Sequence, residues 1–156
     1  KKCILGAPEL EFVGHVISEK GTTFTRIRLD SVLEIPPPTH QKGLKRFLGT
    51  ANYFHDHIRD HSTLVRPLQD LVKDYTPSRR IKWTPETTDA FNKIREAIHN
   101  CPTLPFIDPH APIYLMTDAS DYGIFSYLLQ IINGIEYPIA FMSKSLDERQ
   151  SKWAKP

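Results

Sequence analysis

Only two cysteines stand in the chain, Cys3 and Cys101, with no Cys-x-x-Cys pair and no histidine at zinc spacing. That scarcity argues against a disulfide framework or a zinc ribbon, and the thiols read as free or buried groups of a reducing compartment. No apolar run approaches the ~20 residues that a helix needs to span a bilayer. The opening Lys1-Lys2-Cys3-Ile4-Leu5-Gly6 lacks the apolar core of a signal peptide and lacks a methionine. The ending Trp153-Ala154-Lys155-Pro156 is as abrupt, so the chain reads as cut from something longer. An excess of one charge is missing too: 20 Lys+Arg against 18 Asp+Glu leaves +2. A nucleic-acid surface must therefore be a local patch. Nothing repeats internally, and no segment is low-complexity.

What is present is an ordinary globular composition, 40% hydrophobic and 24% charged over 156 residues, enough for one domain or two small ones. Leu10, Phe12, Val13, Val16 and Ile17 predict a strand or hairpin bending at Gly14, followed by a turn at Glu19-Lys20-Gly21. A short helix is expected from Thr25 to Glu34, stopped by Pro36-Pro37-Pro38. Thr39 is the expected cap of a longer helix, in which Leu44, Phe47, Leu48, Ala51, His55 and Ile58 follow the helical repeat. Ser62 is the expected cap of the next helix, whose first turns Pro67 should kink or shorten. Residues 73–81 form a polar loop. Thr84-Pro85-Glu86 starts a further helix with a cap, a proline at its first position and an acid in its first turn.

Beyond Pro102 the period becomes that of strands. Ile113–Thr117, Gly123–Ile132 and Tyr137–Ser143, with the hairpin turn Asn133-Gly134, predict an antiparallel three-strand meander. Such a sheet needs helices over its apolar face. No long helical pattern follows, so an incomplete C-terminal domain with a boundary near 102–110 is expected.

Three features carry potential chemistry. Lys45, Gly49 and Tyr53 form one row along a helix. Glycine inside a helix costs about 1 kcal/mol against alanine, so either close helix packing or the approach of a nucleic-acid backbone has to compensate. Arg79, Arg80 and Lys82 before Trp83 are either a solvated loop or a phosphate contact. Asp118, delivered by an apolar strand to Ala119-Ser120, is either a turn residue or an acid aimed at a divalent metal.

The run Phe12-Val13-Gly14-His15-Val16-Ile17-Ser18, Pro36-x-Pro38, Phe47-Leu48-Gly49-x-Ala51-Asn52-Tyr53-Phe54, Trp83-Thr84-Pro85-Glu86, Thr117-Asp118-Ala119-Ser120 and Pro138-Ile139-Ala140-Phe141 resembles the Pol polyprotein of gypsy-type LTR retrotransposons. The resemblance implies an α+β chain: 1–21 the end of a reverse-transcriptase palm, 22–75 a thumb, 76–105 a connection and 106–156 a partial RNase H-like domain. Phe12, Gly14 and His15 would be a primer grip, and Lys45, Gly49 and Tyr53 a track in the minor groove of a template–primer duplex or RNA–DNA hybrid. Asp118 matches the first catalytic acid of RNase H, a Mg²⁺ ligand. The second acid would fall past Pro156, and the polymerase triad upstream of Lys1. Asp121, Asp147 and Glu148 match no catalytic position. The parent would copy RNA into DNA and cleave the hybrid in a cytoplasmic particle or the nucleus, alongside the rest of Pol. This chain alone is expected to be inactive, and the alternative is a domesticated module that binds nucleic acid or protein. Phe125-Ser126 replaces a small Gly-Ala pair and is expected to crowd its neighbours.

Overall fold

The structure, a computed structural model, describes residues 5–120, 123–147, 149 and 150. Cys3, Asp121, Glu148 and the final tail lie outside the described residues. Three short strands, β1 (Glu9–Phe12), β2 (His15–Ser18) and β3 (Gly21–Phe24), make an antiparallel sheet in the order β1-β2-β3. Four helices follow: α1 (Arg26–Leu33), α2 (Gln41–Tyr53), α3 (His61–Asp70) and α4 (Pro85–His99), with a 3₁₀ turn at His55–His57. The chain then enters the sheet β4 (Ile113–Ala119), β5 (Gly123–Ile132) and β6 (Ile135–Ser145), antiparallel in that order. No helix among the described residues is long and apolar enough to cross a membrane.

The helices close on one core. Phe24, Leu29, Val32, Leu44, Phe47, Ala51, Phe54, Ile58, Val65, Leu68, Phe91, Ile94 and Ile98 are all buried there. Phe91 lies at its centre, with its ring 4.5 Å from Phe47 and 5.5 Å from Trp83. Trp83 also donates its indole N–H to the Pro38 carbonyl at 2.9 Å. It is thus an edge of the core rather than an anchor for phosphate. The start of α4 follows its sequence closely: Thr84 Oγ1 accepts from the Thr87 N–H, and Thr87 Oγ1 accepts from the Thr84 N–H.

Elsewhere the ends of elements are set by distant partners, and four local expectations change. The boundary residue of α2 is His40, not Thr39, and its first amides are taken by loop carbonyls: Gln41 N–H donates to Arg79 and Lys42 N–H to Pro77. The helix ends at Tyr53, so His55 and Ile58 fall in and after the 3₁₀ turn. Helix α3 is preceded by Asp60 in the left-handed region (φ 54°), and the expected cap Ser62 instead donates its N–H to Ser143 Oγ on β6 at 2.8 Å. Pro67 sits seventh in α3 and the helix runs on to Asp70, so its first turns are intact. Strand β3 has no clear periodic signal. It exists because it pairs with β2 and because Thr22 exchanges backbone bonds of 2.8 and 2.9 Å with Leu104. A Cβ at Gly21 would collide with the Leu104 carbonyl, so that close approach requires glycine.

The β4–β6 meander matches its sequence pattern, with Asn133 (φ 54°) and Gly134 (φ 78°) turning the β5–β6 hairpin. Strand pairing places Asp118, Phe125 and Ser143 in one cross-strand row, and Met116, Tyr127 and Phe141 in the next row of the same face. That face meets the 3₁₀ turn and α3. Arg59 lies over the rings of Phe125 (5.4 Å) and Tyr127 (5.7 Å), and Phe125 stacks on Tyr127. The register at Phe125 is unbroken, so its bulk is absorbed by a guanidinium lid without displacing a strand. The opposite face, with Ile113, Leu115, Ile124 and Met142, is exposed. Cys101 is half-buried at the edge of the helical core, and burial pushes its thiol up to about 11, the state of a structural cysteine.

Candidate nucleic-acid interface

Two elements separated by about 40 residues of chain meet at the tip of the first hairpin. The β1–β2 turn is Val13-Gly14, both with positive φ (50° and 81°). That is the backbone of a type I′ turn, usually made by Asn-Gly. A β-branched residue there is strained, by about 1–3 kcal/mol. Tertiary contacts hold it. The Tyr53 hydroxyl, at the end of α2, donates to the Val13 carbonyl at 2.7 Å. It accepts in turn from Arg28 Nη1 of α1 at 3.1 Å, and the Arg28 guanidinium sits 5.1 Å over the Tyr53 ring. The same guanidinium lies against Gly14, where a Cβ would overlap it. His15 packs beneath, its ring 5.4 Å from Tyr53 and 4.7 Å from Phe24.

Phe12 and Val13 project outward, 62% and 70% exposed. Lys45, Gly49 and Tyr53 are exposed in a single row up α2. Lys45 Nζ stands 4.3 Å above the Tyr75 ring, which fixes its stem while leaving the ammonium at the surface. Nothing lies within 4 Å of a Cβ built on Gly49. Helix packing within this chain therefore does not account for that glycine. Gly14 and Tyr53 thus meet at the Arg28 guanidinium with His15 packed beneath, Gly49 and Lys45 follow Tyr53 back along the exposed side of α2, and Phe12 stands exposed on the hairpin. Arg28 was missed by sequence reasoning. It is one exposed arginine in a charged helix, and its partners Gly14 and Tyr53 lie 14 and 25 positions away in the chain.

In the basic loop the side chains of Arg79, Arg80 and Lys82 are exposed. Arg79 Nη1 donates to the Asp74 carbonyl, and Arg80 pairs with His40 across a backbone bridge.

Asp118 stands apart from this row. It lies in β4, exposed, one residue before the strand ends, and its Oδ1 accepts the Ala119 N–H at 2.9 Å. It lines a small cleft of about 60 Å³ with Asp60, Ser62, Thr63 and Ser120. Among the described residues no group of three or more His, Cys, Asp or Glu could hold a metal ion. Two-metal phosphodiester chemistry clamps ions about 3.5–4 Å apart, and Mg²⁺ binds through carboxylates together with substrate phosphates. The described donors around Asp118 do not fit such a pair.

Comparison with known proteins gives a consistent result. Residues 83–155 match the model of the RNase H-like domain found in reverse transcriptase. The Tf2-3 and Tf2-4 transposon polyproteins of Schizosaccharomyces pombe are 34% identical over 154 residues, 98% of this chain but 11% of theirs. The chain thus spans about a tenth of the length of these relatives. Among solved structures, the foamy viral protease-reverse transcriptase in complex with dsDNA superimposes with a TM-score of 0.79 at 25% identity, over 95% of this chain and 30% of that one. The same enzyme in complex with an RNA/DNA hybrid gives 0.77 at 26% identity, over 94% of this chain and 20% of that one.

Proposed function

We infer that this chain, a relative of the reverse-transcriptase and RNase H region of gypsy-type LTR retrotransposon polyproteins, grips the backbone of a nucleic-acid duplex with the track running from Phe12, Gly14 and His15 to Tyr53, Gly49 and Lys45. The observation that carries this reading is the open face of Gly49. A helix-interior glycine that costs about 1 kcal/mol and has no neighbour within its own chain leaves room for something outside. The polar and cationic neighbours fit a sugar-phosphate strand better than an apolar partner. Lys45 supplies a phosphate-seeking charge, and the exposed ring of Phe12 supplies an apolar surface beside the strand. The foamy viral neighbours were solved with dsDNA and with an RNA/DNA hybrid, which makes those duplexes the ligands to test. In the parent polyprotein this grip would serve RNA-directed DNA synthesis and hybrid cleavage, inside a cytoplasmic particle or the nucleus.

Catalysis is not assigned to the described residues. The reverse-transcriptase RNase H-like family implies divalent metals. Among the described residues Asp118, with Asp60 beside it, is too small a donor set to hold a pair of them.

Fluorescence anisotropy with a labelled RNA–DNA hybrid tests the grip. Binding should weaken as salt rises, and Lys45→Glu should weaken it roughly tenfold or more. Gly49→Ala should stabilise the fold by about 0.5–1 kcal/mol, and Gly49→Leu should weaken the hybrid complex. A Gly49→Leu chain that binds as well as the parent would remove the central argument. For the chemistry, hybrid cleavage in Mg²⁺ or Mn²⁺ that Asp118→Asn abolishes would overturn the assignment of no catalysis.

A further inference from the structure

We propose that Arg28 is the positioning residue of this grip: it locks the strained Val13-Gly14 tip of the hairpin to Tyr53, so that the two halves of the track move as one body. The proposal rests on the duplex-gripping reading for its purpose, but its geometry stands alone. One guanidinium makes three contacts at the junction. Its guanidinium lies against Gly14, where a Cβ would overlap it, its Nη1 donates to the Tyr53 hydroxyl at 3.1 Å, and its cation lies 5.1 Å over the Tyr53 ring. Accepting that hydrogen bond orients the Tyr53 hydroxyl to donate onward to the Val13 carbonyl at 2.7 Å. The chain Arg28, Tyr53, Val13 is therefore a relay in which each bond polarises the next.

The hairpin needs such a lock more than most. A two-residue turn built from Asn-Gly holds its own geometry, whereas Val13 is held at positive φ against its preference. Strand β1 is exposed along its whole length, so packing from above does not restrain it. Glycine at position 14 serves two ends at once, the positive φ of the turn and the space under the guanidinium. Lysine at position 28 would keep the charge and lose both the planar contact and the fixed donor geometry. Arg28 is itself exposed, so its truncation leaves the helical core intact.

Two measurements on the full 156-residue chain test this, with Arg26→Ala as the control that removes the same charge from the same helix. The first is amide hydrogen exchange. Arg28→Ala and Arg28→Lys should both speed exchange over residues 12–16 roughly tenfold and leave α4 unchanged, while Arg26→Ala should leave residues 12–16 unchanged. Unaltered exchange at the hairpin in Arg28→Ala would overturn the lock. The second is hybrid binding against salt concentration. Arg28→Ala and Arg28→Lys should lose affinity alike, roughly three- to tenfold, with the salt slope of the parent. Rescue by lysine, or a slope reduced by about one phosphate contact, would show direct charge contact and overturn the positioning role. A parent chain that binds no duplex at any salt would end the gripping reading, and the exchange result would still decide whether Arg28 holds the hairpin.

Discussion

The helical body and the β4–β6 sheet are held together by different means. In the body, Phe91, Leu44, Leu68 and Ile98 are fully enclosed, and every helix contributes to one core. The second sheet buries Leu129, Phe141 and the Gln130 side chain, whose amide clips the backbone of Asp108 and Ala111. One of its faces rests on Arg59 and on the bond from Ser62 to Ser143, and the other, apart from Gln130 at one end, is exposed at Ile113, Leu115, Ile124 and Met142. The row Lys45, Gly49 and Tyr53, proposed above as part of a duplex grip, thus stands on the more enclosed of the two. Asp118 rides on the part with fewer buried neighbours, where position depends on a few polar contacts. A grip must hold its shape before the ligand arrives, because a fixed surface binds without first losing conformational freedom.

The sharpest way to break this comparison is to hollow each region in turn. Phe91→Ala should cost about 3–5 kcal/mol, read as a fall in the urea midpoint. Leu115→Ser on the bare sheet face should stay within about 0.5 kcal/mol, the range of ordinary surface changes. Comparable losses from both would show that the open face is packed in solution.

A second, smaller effect concerns the seam. Ser143→Ala leaves the Ser62 N–H without its partner, which costs about 1–3 kcal/mol for a buried donor. The loss should be local: amide exchange should quicken in β5 and β6 while α4 stays protected. Equal acceleration in both would mean that sheet and helices open together, and the contrast drawn above would fail.

The legible parts of this chain are those whose partners are near in sequence. Thr84-Pro85 fixes the start of α4 because both halves of its capping bond lie within four residues. Asn133-Gly134 fixes a hairpin because the turn itself demands those two residue types. His40 and Asp60 were not seen as helix boundaries because the groups that satisfy the first amides come from residues 77–79 and from Ser143. Strand β3 depends on Leu104, some 80 positions away. The track was legible only through family resemblance. The sequence placed Lys45, Gly49 and Tyr53 in a row, and left open whether glycine served packing or a ligand. Only coordinates show that the space beside Gly49 is empty and that Arg28 joins the row to the hairpin.

The smallest expected effect lies near the contact between the two regions, where histidines gather. His57 is buried against Phe24, at 4.6 Å between rings, and its Nε2 lies 3.3 Å from the Thr22 carbonyl. Burial, and then the neighbouring His15 and His55, lower its pKa, while the Thr22 bond and Asp56 oppose that. His61 is lowered by burial and by His55, against the Ala51 backbone and Asp56. Both rings therefore take up a proton less readily in the fold than when unfolded. Between the lowered folded values and the ordinary 6.5, the unfolded chain binds more protons, so stability rises with pH. It should be fully present above about pH 6.5 and decline as pH falls from there toward 5.5. His57→Phe retains an aromatic ring against Phe24 and cannot titrate, so its melting temperature should fall less over the same interval. A parent chain whose melting temperature holds steady or climbs from pH 7 to 5.5 would show that these rings are charged or solvated in the fold. This contact would then be as open as the bare sheet face, and the boundary of the enclosed region would have to be drawn nearer to α2.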